Sequence, residues 1–216
     1  MAADGVKSKS DSSVHSYLIM KADAQKALEL ATEWWKEKEV PQYVTVRNLH
    51  RDEMEEFVDL YNRCFIASPD PFCPLTLEDA KKLDTEGIFV AVLWKELSGF
   101  IACFVEKDEG SVYGEITGIG VLPSRRRRGI ATALIEKASE YFLEAGVEEV
   151  YCEVYEENRP SRLLITAYGF EQVGRREVPA ESSEDSDGEE TRMPGGKIMR
   201  HLGLRPRPGC KDCRDL

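Results

Sequence analysis

The stretch Val121-Leu-Pro-Ser-Arg-Arg-Arg-Arg-Gly-Ile-Ala-Thr-Ala-Leu134 constrains this chain more than any other segment. An apolar run of strand character, Ser111 to Leu122, is stopped by Pro123. A basic turn then feeds a helix with Ile130, Leu134, Ala138, Phe142 and Ala145 on one stripe, stopped by Gly146. A strand that turns directly into a helix leaves the first helical amides unbonded and pointing outward, with the helix dipole behind them. Around Arg127 to Ala131 this predicts an anion cradle. Gly129 and Ala131 carry little or no side chain, so a pyrophosphate can approach the backbone while the arginines add charge at the rim. The spacing is not that of a nucleoside-triphosphate P-loop, which needs Gly-x-x-x-x-Gly-Lys-Ser/Thr, nor that of a triple-glycine Rossmann turn.

Charge narrows the class of ligand. The chain of 216 residues holds 40 Asp+Glu against 29 Lys+Arg, a formal net charge of −11, and 42% of it is hydrophobic. This suits one domain able to bury a core without disulfide staples, and it disfavours bulk nucleic-acid binding, which needs clustered positive charge. No stretch approaches the roughly 18 to 20 apolar residues that span a bilayer, and Met1 to Lys7 lacks an apolar signal core, so a cytoplasmic location is expected, with no membrane contact. Of the cysteines at 64, 73, 103, 152, 210 and 213, only Cys210 and Cys213 form a close pair. One CxxC supplies half of a structural zinc site, so no metal is expected and free thiols on a tail are the simpler reading.

The rest of the chain is organised around that junction. Residues 1–17 read as a disordered leader and 18–41 as an amphipathic helical extension, with Ala24, Leu28, Ala31 and Trp35 at helical spacing and Pro41 closing it. The extension either packs on the domain that follows or docks a partner through Trp34 and Trp35. The domain spans 42–204. Tyr43 to Leu49 reads as a strand, Arg51 to Phe65 and Leu75 to Leu83 as helices, and Gly87 to Trp94 with Leu97 to Val105 as a hairpin turning at Lys95-Glu96. After the junction helix come the strand Val147 to Val154, the short helix Arg159 to Tyr168 and the strand Phe170 to Val178. An acidic insertion, 180–194, would separate that strand from a last one, Lys197 to Leu202, and 205–216 would be an extended tail. Antiparallel strands followed by a β-α-β crossover argue for a mixed α/β (α+β) sheet with helices on both faces.

With Arg126-x-x-Gly129-x-Ala131 placed after Val121-x-Pro123, the chain resembles the GNAT superfamily of acyl-CoA-dependent N-acyltransferases. Two further blocks carry the resemblance: Asn158 through Tyr168-Gly169-Phe170, and Lys197-Ile-Met-Arg-His-Leu202. It implies a mostly antiparallel twisted sheet that splays between the fourth and fifth strands, counted from Tyr43. It also implies acetyl-CoA as acyl donor, with the pyrophosphate on the amides around Arg126, Arg127, Arg128, Gly129, Ile130, Ala131 and Thr132. The pantetheine arm would lie along the backbone of Ile119, Gly120 and Val121 in the splay, and Asn158 would touch that arm. Without the resemblance, Arg125 to Arg128 also read as a solvated turn, an import signal or an RNA patch, which would leave Gly129-x-Ala131 unexplained.

Acyl transfer from a thioester to an amine requires a base, because an alkyl ammonium has a pKa of about 10, and then an oxyanion donor and a proton for the leaving thiolate. By resemblance, Glu115 occupies the general-base position; as a residue on its own it reads equally as a surface glutamate. On a regular strand Glu115, Thr117, Ile119 and Val121 share a face, which a bulge would change. The family's acid tyrosine falls at Ile165, and Tyr168, one helical turn on, is either a substitute acid or a packing residue. The Val121 amide is the candidate oxyanion donor. Cys152 reads as a buried structural thiol rather than a covalent nucleophile.

The acceptor class stays open: small amine, peptide N-terminus or lysine, held with the donor in a ternary complex. The acidic insertion would either attract a cationic acceptor or act as a solubilising loop, and Ser182, Ser183 and Ser186 within it would deepen its charge if phosphorylated. A monomer and a homodimer are both compatible with the sequence. The rival to an enzyme is a non-catalytic acyl-CoA sensor or partner-binding module on the same fold.

Overall fold

Alternation between strand and helix periods sets the elements, and the computed structural model describes residues 14–37, 43–71, 74–108 and 111–179. They form β1 (Val14–Asp23), α1 (Ala24–Glu37), β2 (Val44–Asn48), α2 (Met54–Ile66), α3 (Leu77–Ala80), β3 (Ile88–Leu93) and β4 (Glu96–Asp108). Then follow β5 (Ser111–Val121), α4 (Ile130–Glu144), β6 (Glu149–Tyr155), α5 (Arg159–Ala167) and β7 (Glu171–Pro179). The strands make one sheet in the order β2-β3-β4-β5-β6-β1-β7. Every neighbouring pair is antiparallel except β5 and β6, which the α4 crossover joins in parallel.

Helices cover both faces, as the sequence predicts. On one, α1 packs along α4, and Leu18, Met20, Ile101, Ile116, Leu134, Phe142 and Val150 share a buried cluster. On the other, α2 packs on β4 and β5 and buries Phe57, Leu60 and Tyr61 against Val90 and Phe100. Full burial of a side chain of this size contributes about 1.5–3 kcal/mol of transfer free energy. Trp34 lies partly buried against the first cluster, so the added helix packs on its own domain.

The N-terminal segment departs from the sequence reading. Val14 to Asp23, divided there between leader and helix, is a strand, and α1 begins only at Ala24. Leu18, Met20 and Ala22 enter the main core, while Tyr17 is buried with Tyr155 and Val178. A short continuous apolar run such as Leu18-Ile-Met20 does not distinguish strand from helix by periodicity. Here the partners decide: β1 fills the slot between β6 and β7, pairing Tyr17 with Tyr155 and with Arg176, residues far away in sequence. The acidic insertion, the strand expected at Lys197 to Leu202 and the tail lie outside the described residues. Among the described helices, none is long and apolar enough to cross a membrane.

Candidate active site

The site is organised by what happens on the two sides of β5. Toward β4 the ladder runs the whole length, from Asp108 with Ser111 to Gly99 with Val121, and skips one residue, Thr117, between the Cys103–Ile116 and Ala102–Gly118 rungs. That bulge is buried, and the Thr117 hydroxyl donates to the Ala102 carbonyl at 3.4 Å. It also changes which side chains share a face. A Cβ on Gly114 would meet the Phe142 ring at 2.6 Å, so Gly114 faces α4 and Glu115 turns to the α2 face. Beyond the bulge, Ile119 and Val121 pack in the α4-side cluster, whereas Gly120 points at Cys64 and Phe100. Glu115 therefore does not share a face with Ile119 and Val121, as strict alternation had suggested.

Toward β6 the ladder has only the rungs Gly114–Val150, Glu115–Tyr151 and Ile116–Cys152. This is the splay expected between the fourth and fifth strands of the domain. The Leu122 amide donates to the Ser98 carbonyl across the closed side at 3.0 Å. By strand alternation the backbone groups of Val121 and Ile119 then turn toward the gap. At the upper end of that edge the Arg126 Nε–H donates to the Val121 carbonyl at 3.1 Å.

The gap leads to the predicted anion cradle. After a 3-10 turn at Pro123–Arg125 the chain takes a positive φ of 63° at Arg127, and Gly129, at φ 75°, is the N-cap of α4. Glycine is suited to that left-handed conformation and has no side chain to close the cradle. The first intrahelical bond is from the Ala133 amide to the Gly129 carbonyl at 3.0 Å, so the amides of Ile130, Ala131 and Thr132 have no partner inside the helix. Gly129, as N-cap, has no side chain to cap them. Arg125 is bridged to Glu96 at 2.9 Å and Arg126 is bonded to the backbone, while Arg127 and Arg128 are exposed.

Asn158 is engaged within the protein. It is buried and caps α5, its Oδ1 accepting from the Ser161 amide at 3.1 Å. Its Nδ2 donates to Ser68 Oγ at 3.1 Å and to the Asp70 carboxylate. With these bonds made inside the protein, Asn158 braces the segment after α2 against the start of α5. Tyr168 is also engaged: its hydroxyl lies 2.7 Å from Thr132 Oγ1, in the first turn of α4, and burial pushes its pKa up. Ile165 is buried in the α4-side core, as is Cys152. The Cys64 thiol beside Gly120 is pushed up to about 12 by burial, which keeps it protonated and unreactive at neutral pH.

Several residues of this site escaped the sequence reading. Glu153 of β6 is two positions from Tyr151 and so shares its face; the Arg176 guanidinium grips it with contacts of 2.6 and 3.3 Å. The Tyr113 and Tyr151 rings meet at 5.6 Å beside Glu115. Tyr17 of β1 is 4% exposed, its hydroxyl has no hydrogen-bond partner among the described residues, and its ring lies 5.5 Å from that of Tyr155. Burial, reinforced by the charge of Asp70, raises the Tyr17 pKa. Period two in Glu149 to Tyr155 could have singled out Glu153, but nothing local to Tyr17 indicates that it joins this face. Among the described residues no group of three or more His, Cys, Asp or Glu could hold a metal ion; Cys210 and Cys213 lie outside them.

A mixed sheet opened at one parallel seam, with a helix N-terminal cradle at the end of the opening, is an architecture for holding a phosphate-bearing ligand by its backbone contacts. Residues 54–170 match the family model described as Acetyltransferase (GNAT) family, and the chain belongs to that family. An uncharacterized N-acetyltransferase of Methanocaldococcus jannaschii is 31% identical over 137 residues, covering 59% of this chain and 61% of the relative. The chain thus spans less than two thirds of that relative's length. An N-alpha-acetyltransferase of Saccharolobus solfataricus is 27% identical over 146 residues, 63% of this chain and 86% of the relative. Among solved structures, a GCN5-related N-acetyltransferase from Sphaerobacter thermophilus aligns with a TM-score of 0.54 at 21% identity, over 75% of this chain and 50% of that one. The aminoglycoside acetyltransferase AAC(6')-Iy, bound to a CoA bisubstrate analog, aligns with a TM-score of 0.53 at 25% identity, over 62% and 94%.

Proposed function

We propose that this chain transfers an acetyl group from acetyl-CoA to a primary amine by direct attack in a ternary complex. The observation that carries the reading is the open edge of β5, which begins beyond the Ile116–Cys152 rung, at the bulge of Thr117, and leads to the first-turn amides of α4 that have no intrahelical partner. The pyrophosphate fits the amides of Ile130, Ala131 and Thr132, with Arg127 and Arg128 at the rim. The pantetheine arm fits the gap-facing backbone of Ile119 and Val121 as an added strand would, while Gly120, turned to the α2 side, keeps Phe100 and Cys64 close.

Glu115, on the α2 face, is the base. It takes a proton from the ammonium, directly or through water, and the neutral nitrogen attacks the thioester carbonyl carbon. The Val121 amide stabilises the oxyanion. The nitrogen of the adduct gives its second proton to water, the C–S bond breaks, and the thiolate takes a proton back from water. Tyr168 is a positioning residue that fastens α5 to the cradle helix through Thr132, and Asn158 braces the segment after α2 beside the acceptor face. With Glu153 matched by Arg176, Glu115 and Asp70 leave the acceptor side acidic, which favours a cationic amine.

The test is free-thiol release with a panel of small amines and peptides, alongside thermal shift with acetyl-CoA. A stabilised protein that releases thiol with one acceptor class, and a Gly129→Glu variant that loses both effects, is the expected result. Tight binding without release for any amine would make the chain an acyl-CoA sensor. No shift at all, with Gly129→Glu unchanged, would remove the site assignment.

A further inference from the structure

The β3–β4 hairpin turns on Trp94 and Lys95, one residue earlier than the sequence suggested, with φ values of 53° and 68°. Two successive positive φ values define a tight turn that favours Asn and Gly, so an indole there is held in a conformation that costs free energy. The indole is 56% exposed, and Tyr43, 46% exposed, stacks on it at 5.6 Å with an interplanar angle of 19°. The Arg125 guanidinium sits 4.7 Å from the indole centroid and that of Arg128 5.9 Å. Glu96 bridges Arg125 at 2.9 Å, whereas Arg128 has no carboxylate partner among the described residues. A strained, solvent-open aromatic pair therefore adjoins the anion cradle, with one uncompensated cation beside it.

From this we infer that Tyr43, Trp94 and Arg128 form a subsite for the adenosine 3′-phosphate end of the acyl-CoA. The inference rests on the cradle assigned above and extends it outward. The sheet order sets the direction: the β6 side of β5 is the gap where the pantetheine arm enters, and the β3–β4 turn lies on the other side, beyond β4. A ligand whose diphosphate sits on the α4 amides and whose arm enters the gap projects its other end away from β6, toward Trp94. Adenine matches the aromatic pair by stacking, and the 3′-phosphate matches the unpaired guanidinium. The exposed indole, otherwise a liability at a hairpin tip, is explained as a platform for a flat base.

The test uses adenosine 3′,5′-bisphosphate, which contains the outer end of CoA and no thioester arm. It should quench tryptophan fluorescence of the full chain, and Trp94→Ala should weaken its binding about tenfold, as loss of a stacked base does. Trp94→Phe should restore most of the affinity. Trp94→Ala should weaken CoA comparably while leaving 4′-phosphopantetheine unaffected, and Arg128→Ala should make CoA and 3′-dephospho-CoA bind alike. Circular dichroism of each variant checks folding. Equal bisphosphate affinity in wild type and Trp94→Ala, or no bisphosphate binding to the wild type, overturns the subsite. So does single-stranded RNA binding that depends on Trp94 and survives saturating CoA. If the bisphosphate binds through Trp94 but no amine is acetylated, the subsite stands and the transferase reading falls.

Discussion

The two sides of β5 are built from one strand and put to opposite uses. On the β4 side its ladder is complete apart from a bulge, and Phe100, opposite Gly120, fills the space under α2. On the β6 side three rungs close the lower end and the remainder stands open, leading to a helix whose first amides lack intrahelical partners. The closed side satisfies backbone polarity internally and adds apolar burial, so it contributes stability. The open side leaves polar backbone to be satisfied by water or ligand, so it sacrifices pairing for binding. Substitutions on the two sides should accordingly separate into different readouts.

The largest effect belongs to the closed side. Phe100→Ala removes a fully buried ring packed on Phe57 and Tyr61 and should cost about 3–5 kcal/mol in denaturant unfolding. A loss below 1 kcal/mol would mean that the β4 side is not the stabilising one. At the foot of the open side, on the rungs that close it, Glu115→Gln should lower kcat about a hundredfold at neutral pH with the melting temperature nearly unchanged. Full turnover in that variant would pass the base role to another group on the face, Glu153 first.

Asn158→Ala tests where the sides meet, since it loses the α5 cap and the tie to Ser68 and Asp70. It should destabilise by about 1–2 kcal/mol and raise the acceptor KM more than it lowers kcat. Tyr168→Phe deletes one bond to Thr132 and should cost about 1 kcal/mol in stability, with the alkaline limb of the rate profile intact. Loss of that limb together with kcat would make Tyr168 the acid. Glu136, on α4 and away from both seams, serves as a control. Burial, then the charge of Glu140, hold its carboxyl above the usual range. A folded pKa above the unfolded one means that ionisation opposes folding: the effect is absent below the unfolded pKa and grows as pH rises through the folded value. Glu136→Gln should match the parent near pH 4 and melt slightly higher at pH 7, a small difference because solvent screens this side chain.

Legibility in the sequence followed the range of the interactions. The cradle was readable because a strand end, a proline, a left-handed glycine and an amphipathic helix are all local signals between Val121 and Ala145. The splay was anticipated through the resemblance, and the structure gives its extent, three rungs ending at Ile116 and Cys152. The face of Glu115 was not readable, because the bulge at Thr117 depends on how β5 meets β4. Asn158 was found by motif, yet its partners Ser68 and Asp70 lie far back in the chain and give no local sign of the contact.

The sequence by itself determined the β5–turn–α4 junction, the two-faced burial of the sheet and the residues able to bind an anion or take a proton, because each follows from neighbours a few positions apart. Only the tertiary structure decided that Val14–Asp23 is a strand between β6 and β7, that Tyr17 and Glu153 join the face of Glu115, and that Trp94 stands beside the cradle. Those placements arise from pairings that close long loops. Such pairings are selected by burial and backbone hydrogen bonding across the whole sheet, and no local period encodes them.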